Sequence, residues 1–218
     1  MTTVLGRKLL AAMLVLVSAG SVSAASLDAD LLEIQQTWAR INYSANSADQ
    51  KATEFGQLAA KAAALVSREP GRAEPMVWHG IALSSQAGAK GGLGALSLVK
   101  EARSVLEASL KVDSTALAGS AHTSLGTLYH KVPGFPIGFG DDKKARKHLE
   151  TALKLNPTGI DPNFFYAEFL LDKGETALAI KHLKLAQAAP ARPGREAADA
   201  GRRQEIAVLL TKAGSAGR

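Results

Sequence analysis

Residues 119–157 read Gly119-Ser-Ala-His-Thr-Ser-Leu-Gly-Thr-Leu-Tyr129, then the insert Lys131-Val-Pro-Gly-Phe-Pro-Ile-Gly-Phe-Gly-Asp-Asp142, then Lys144-Ala-Arg-Lys-His-Leu-Glu-Thr-Ala-Leu-Lys-Leu-Asn-Pro157. Leu125, Gly126 and Tyr129 fall on one helix face, because positions three and four apart are neighbours on an α-helix. Ala145, Leu149 and Ala152 make a second face, small-large-small, which lets two helix axes approach closely. Pro157 stops the chain from continuing as a helix. The stretch therefore predicts two helices joined by a long turn rich in proline, glycine and phenylalanine.

The second face recurs. Lys147-His148-Leu149 returns as Lys181-His182-Leu183 after 34 residues, and Ala145 and Ala152 return as Ala179 and Ala186. Earlier in the chain Ala102, Leu106 and Ser109 occupy the same slots, offset by 43 residues from Ala102 to Ala145, with most of the extra length in Val132–Gly140. Trp78, Gly80 and Leu83 repeat the aromatic-small-apolar pattern of the first face. The order Leu-Gly-x-x-Tyr, then Ala-x-x-x-Leu-x-x-Ala, then Pro resembles the tetratricopeptide repeat, a helix-turn-helix unit of 34 residues. The resemblance implies an all-α fold: a helical solenoid of three to four antiparallel helix pairs plus a C-terminal capping helix.

The rest of the chain fits around that array. Arg7 and Lys8, the apolar run Leu9–Val17 and the small residues Val22-Ser23-Ala24 read as a signal peptide over residues 1–24, cleaved after Ala24. Export to the periplasm is expected, with release outside the cell as the alternative and no stable membrane insertion after cleavage. A degenerate helix pair is expected over 25–70, repeats over 71–190, and a linker with capping helix over 191–218. Within these, Leu27–Tyr43 is one helix, and Ser47 with Gln50 forms a capping box for the next. Ala87–Gly94 reads as a glycine-rich break. Asp161-Pro162 reads as an N-cap followed by proline at the first helical position, and the last helix runs from Arg195 to about Lys212.

Composition excludes several classes of function. The chain has no cysteine, which removes disulfides, thiolate ligands and a thiol nucleophile. The signal peptide carries two of the 26 basic residues and none of the 20 acidic ones, so the mature chain is only mildly basic. That is no nucleic-acid signature. There is no Gly-x-Ser-x-Gly, no His-x-x-x-His with glutamate, and the glycines of 88–94 lack the Gly-Lys-Ser/Thr ending of a phosphate loop. No catalytic residue, metal ligand or cofactor is assigned. His148 and His182 fall one repeat apart, as inherited repeat positions do. Arg192, Arg195, Arg202 and Arg203 read as a solvated face of the capping helix.

The binding candidates are aromatic. Phe135, Ile137 and Phe139 in the insert either fold back onto their own repeat or form part of a binding surface. Asp141 or Asp142 caps the following helix. Phe164, Phe165 and Tyr166 cannot all share one helix face, because successive residues diverge by about 100°. By resemblance to the repeat family, the expected work is non-catalytic: holding a protein or peptide in the concave groove. The apolar contacts would be Phe135, Phe139, Phe164 and Tyr166, with Asn163 and Glu168 orienting the ligand. The export signal, helix pairs and long insert are also similar to the periplasmic T-component of TRAP-type transporters. That similarity implies a pocket for a small apolar solute, although the lipid-anchoring cysteine usual there is missing. An internal pocket lined by aromatics would favour solute binding, and an open groove would favour the scaffold. The sequence leaves the partner and the oligomeric state open.

Overall fold

The computed structural model describes residues 19–216 and is helical throughout its ordered elements: α1 (Ala19–Asn42), α2 (Ala48–Arg68), α3 (Ala73–Lys90), α4 (Ala95–Val112), α5 (Ala116–Lys131), α6 (Asp142–Leu155), α7 (Ile160–Asp172), α8 (Thr176–Gln187) and α9 (Glu196–Ala216). Residues 1–18, which hold most of the expected signal peptide, lie outside the described residues. No described helix is long and apolar enough to cross a membrane.

The helix ends follow from local chemistry. The Ser47–Gln50 capping box forms in full, each side chain accepting from the other's backbone N–H. Asp141, at the end of the insert, caps α6 by accepting from the backbone N–H groups of Lys143 and Lys144. Two expectations shift. The glycine-rich break is shorter than 87–94, because α3 runs on to Lys90 and the chain turns only at Gly91 and Gly92, both at positive φ. Ala87 is buried on that last turn, and a single helical glycine such as Gly88 costs only about 1 kcal/mol. Asp161 is not an N-cap either: α7 starts at Ile160 behind Gly159, and the Asp161 carboxylate is taken up by two arginines.

The small-large-small stripes are the packing faces. Ala102, Leu106 and Ser109 of α4, Ala145, Leu149 and Ala152 of α6, and Ala179, Leu183 and Ala186 of α8 are all buried. Two of their large members, Leu106 and Leu149, meet glycines on the preceding helix. A Cβ at Gly80 would lie 2.5 Å from Leu106 Cγ, and one at Gly126 would lie 2.6 Å from Leu149 Cγ. Gly126 is therefore what lets α5 and α6 close on each other, and Gly80 does the same for α3 and α4. α2, expected to partner α1, packs most extensively on α3, with Phe55, Leu58, Ala59, Ala62 and Leu65 buried.

The helices form two layers. α1, α3, α5, α7 and α9 touch in sequence, and α9 touches α1, so the odd-numbered helices close a circuit. α2, α4, α6 and α8 pack on the outside of that circuit, each against the odd-numbered helices before and after it. The closing seam is specific. Gly201 of α9 sits so near Tyr43 that a Cβ there would be 2.5 Å from the ring, and a Cβ at Gly194 would be 2.9 Å from Leu32. Gln36 donates to the Gly194 carbonyl at 3.1 Å, and Arg195 donates to Gln35 at 3.2 Å. The C-terminal helix is thus one wall of the circuit rather than a solvated cap.

Candidate functional site

The inner faces of the odd-numbered helices, with the start of α4 and the adjoining loops, line a half-open cavity of about 1190 Å³. Much of its wall is apolar: Trp38 of α1, Trp78 and Ile81 of α3, Leu117 and Leu128 of α5, and Phe165 of α7. One end is rimmed by Leu93 and Ile137, from the loops after α3 and α5, and both are well exposed. Arg192, Arg195 and Arg202 contribute to the lining from the α8–α9 connection and α9. The wall also holds strained backbone, since Leu117 and Ala118 adopt left-handed conformations at φ 50° and 52°. Such geometry costs on the order of 1–2 kcal/mol per residue and persists only where surrounding packing imposes it.

The charged groups of the cavity are organised around Asp161. Its Oδ2 accepts from Arg192 Nη1 at 2.6 Å, and its Oδ1 from Arg202 Nε at 3.0 Å. Burial alone would raise the Asp161 pKa, but Arg202 and Arg192 overcome it and hold the carboxyl at about 2. Arg192 is also gripped by Asp199, at 2.7 Å from its Nε and 2.9 Å from its backbone N–H. Arg202 donates from Nη1 to Glu205 at 2.7 Å. Its guanidinium lies 4.3 Å from the Phe164 ring centre and 4.6 Å from that of Phe165, a cation–π arrangement that lets a nearly buried arginine stay charged. Tyr43 donates to Glu205 at 3.3 Å, and burial, more than the nearby carboxylates, pushes its hydroxyl pKa up to about 12. The network therefore pins α1, α7 and α9 together at the wall of the cavity. The expected solvated arginine face is corrected accordingly: Arg202 is buried, and Arg192 and Arg195 are half-buried.

The residues singled out from sequence separate into three groups. Phe164 and Glu168 line the cavity, together with Phe165. Burial pushes the Glu168 carboxyl upward, with Lys131, 3.9 Å away, opposing it. Asn163 and Tyr166 serve packing. Asn163 is fully buried, and its amide N–H₂ donates to the carbonyls of Pro157 and Gly159 while its Oδ1 faces His182 Nδ1 at 2.9 Å. Tyr166 is buried beside Phe169 and His182, its hydroxyl reaching Glu150 at 3.4 Å. The insert folds back only in part. Phe139 folds back, edge-on to Tyr129 at 5.6 Å and under the Arg103 guanidinium at 4.3 Å. Phe135 projects outward and is 94% exposed.

Two of the five histidines pair with each other. His122 Nδ1 faces His148 Nδ1 at 2.9 Å, and His148 also stacks on Tyr129. Burial, then His122 and Lys147, lower the His148 pKa to about 4, so this pair is neutral at neutral pH. Among the described residues no group of three His, Asp or Glu side chains is placed to hold a metal.

Sequence reasoning missed Trp38, Trp78 and the arginines as cavity residues. Trp38 and Trp78 read as ordinary stripe positions, and only the return of α9 to α1 turns those stripes toward a common interior. The interleaved glutamates and aspartates around Arg192–Arg203 were the available signal, because charges so evenly matched can pair inward as readily as outward. No protein-family model matches the chain, and no curated protein matches it in sequence.

Proposed function

We propose that this chain is an exported, non-catalytic solute-binding protein, built as a tetratricopeptide-like solenoid whose concave face closes into a ring. The observation that carries this reading is the contact of α9 with α1, sealed by Tyr43, Gly201 and the Arg202 network. An extended or helical peptide needs an open groove. A ring interior suits a small molecule, and the volume of about 1190 Å³ exceeds the usual pocket range of roughly 300–1,000 Å³. Apolar walls with a few convergent polar groups are what such sites require. The resemblance to the T-component of TRAP-type transporters supports the same reading, and the signal sequence over 1–24 supports periplasmic work.

Native mass spectrometry of the mature protein, isolated from its own compartment without detergent, tests this. A small-molecule adduct retained by wild type and lost when Ser124, on the cavity wall, is changed to Trp supports solute binding. An adduct unaffected by Ser124→Trp, or binding only of peptides, rejects it.

A second reading, a scaffold for a protein partner, is favoured by one observation. Phe135 at 94% and Ile137 at 60% exposure present an apolar tip that water solvates poorly. In-cell crosslinking of wild type against a Phe135→Ala, Ile137→Ala variant decides it: a protein captured by both, or by neither, removes the insert as a docking surface.

A further inference from the structure

Resting on the reading that the cavity takes a small solute, we propose that the solute is an amphipathic anion, an apolar body ending in a carboxylate, and that Arg195 holds the carboxylate. Three arginines line the cavity, and two of them are saturated by protein carboxylates: Arg192 by Asp161 and Asp199, Arg202 by Asp161 and Glu205. Arg195 differs. Among the described residues no carboxylate lies within ion-pair distance of it, its Nη1 donates only to the neutral Gln35 amide at 3.2 Å, and its Nε is buried without an acceptor. Its guanidinium sits 5.3 Å from the Trp78 ring centre, and the Trp78 indole N–H is likewise buried without an acceptor. Two donors without acceptors thus adjoin one stretch of cavity wall.

A half-buried guanidinium with no ion-pair partner is costly, because the Trp78 face and the more distant Asp161 and Asp199 offset only part of the desolvation of its charge. Burial, followed by repulsion from Arg192, lowers the Arg195 pKa, opposite to the two paired arginines. A ligand carboxylate would remove that cost, and the planar guanidinium matches it with two parallel hydrogen bonds. The other ionisable groups of the lining are engaged: Lys131, its fourth cation, is paired with Asp172 at 3.1 Å. Asp161 and Glu205 are held by Arg192 and Arg202, and burial favours the neutral form of Glu168. From Arg195 an apolar chain can run along Trp78, Ile81, Leu128 and Phe165 toward the rim at Leu93 and Ile137. An anionic head with a long apolar tail matches this wall better than a wholly apolar molecule, which would leave Arg195 unpaired.

The chain offers its own reporter, because its two tryptophans, Trp38 and Trp78, both line the cavity. Quenching of their fluorescence in the mature protein is measured with 12-bromododecanoate and with the neutral 12-bromododecanol, in wild type and in Arg195→Met. The expected result is acid binding at least about tenfold tighter than alcohol, an advantage erased in Arg195→Met with alcohol affinity unchanged. Equal binding of acid and alcohol by wild type, or an acid preference that survives Arg195→Met, overturns the anion inference and leaves the solute-binding reading standing. Quenching by neither compound removes both. Should Arg195→Met lose the circular-dichroism signal of the fold, the acid–alcohol ratio in wild type, with the uncharged Arg195→Gln as the variant, decides in the same way.

Discussion

Asp161→Asn isolates what the half-buried ion-pair network contributes. The substitution keeps the shape of the side chain and removes only its charge, so Arg192 and Arg202 each lose one partner. Two estimates bear on the cost. The Asp161 pKa falls from 3.8 to about 2, and at 1.36 kcal/mol per unit this corresponds to about 2 kcal/mol of folding stability at pH 7. Breaking a buried pair so that its partner is orphaned costs more, roughly 3–5 kcal/mol. The smaller value applies, because Arg202 keeps Glu205 at 2.7 Å and Arg192 keeps Asp199 at 2.6 Å. The sign of the pH dependence follows. A depressed carboxyl pKa stabilises the fold above the unfolded value near 3.8 and loses that contribution as pH falls toward 2. The difference between wild type and Asp161→Asn should therefore be about 2 kcal/mol at pH 7, about half that at pH 3, and near zero at pH 2. Urea unfolding followed by far-UV circular dichroism across this range measures it. A difference that is absent at pH 7, or that does not shrink between pH 5 and pH 2, would refute the assignment of the charge to this network.

Four further outcomes are expected. Gly201→Ala pushes a methyl group into the Tyr43 ring, 2.5 Å away, so it should cost about 1–3 kcal/mol and widen the α1–α9 seam. The cysteine-free chain lets spin labels at Ala45→Cys and Gln204→Cys read that distance directly, and an unchanged distance with unchanged stability would contradict the seam. Leu149→Ala, under Gly126 in the fully buried stripe of α6, should lose about 2–5 kcal/mol in the same urea assay. Phe135→Ala should change stability by less than about 0.5 kcal/mol, whereas Phe139→Ala, which loses the Tyr129 and Arg103 contacts, should be measurably destabilising; equal effects would mean the insert packs differently. His148, depressed to about 4, contributes stability that is present above pH 6.5 and lost as pH falls through 4. His148→Gln should flatten that part of the pH profile, and NMR titration of the imidazole should find it neutral at pH 5.5.

The sequence by itself determined the helices and most of their contact faces. The 34-residue recurrence of Ala-x-x-x-Leu-x-x-Ala located α6 and α8, and Ser47 and the Asp141-Asp142 pair marked two helix starts, because capping and periodicity are local properties that a few neighbouring residues express. Burial of Leu106, Leu149 and Leu183 followed from the same spacing. What only the tertiary structure decided is where the two ends of the array go. Whether successive helix pairs spread into an open groove or curl until α9 meets α1 depends on the small rotation at each packing step, summed around the circuit. Single residues such as Gly80 and Gly126 influence each step, but the sum is not written in any one stretch. That closure is what turns Trp38, Trp78 and Phe165 toward a shared interior, and it brings Asp161 to Arg192 and Arg202 across 31 and 41 residues of chain. Asp161 read as a helix cap and the arginines read as solvated, since charge and spacing alone cannot distinguish a carboxylate facing water from one facing a guanidinium on a distant helix.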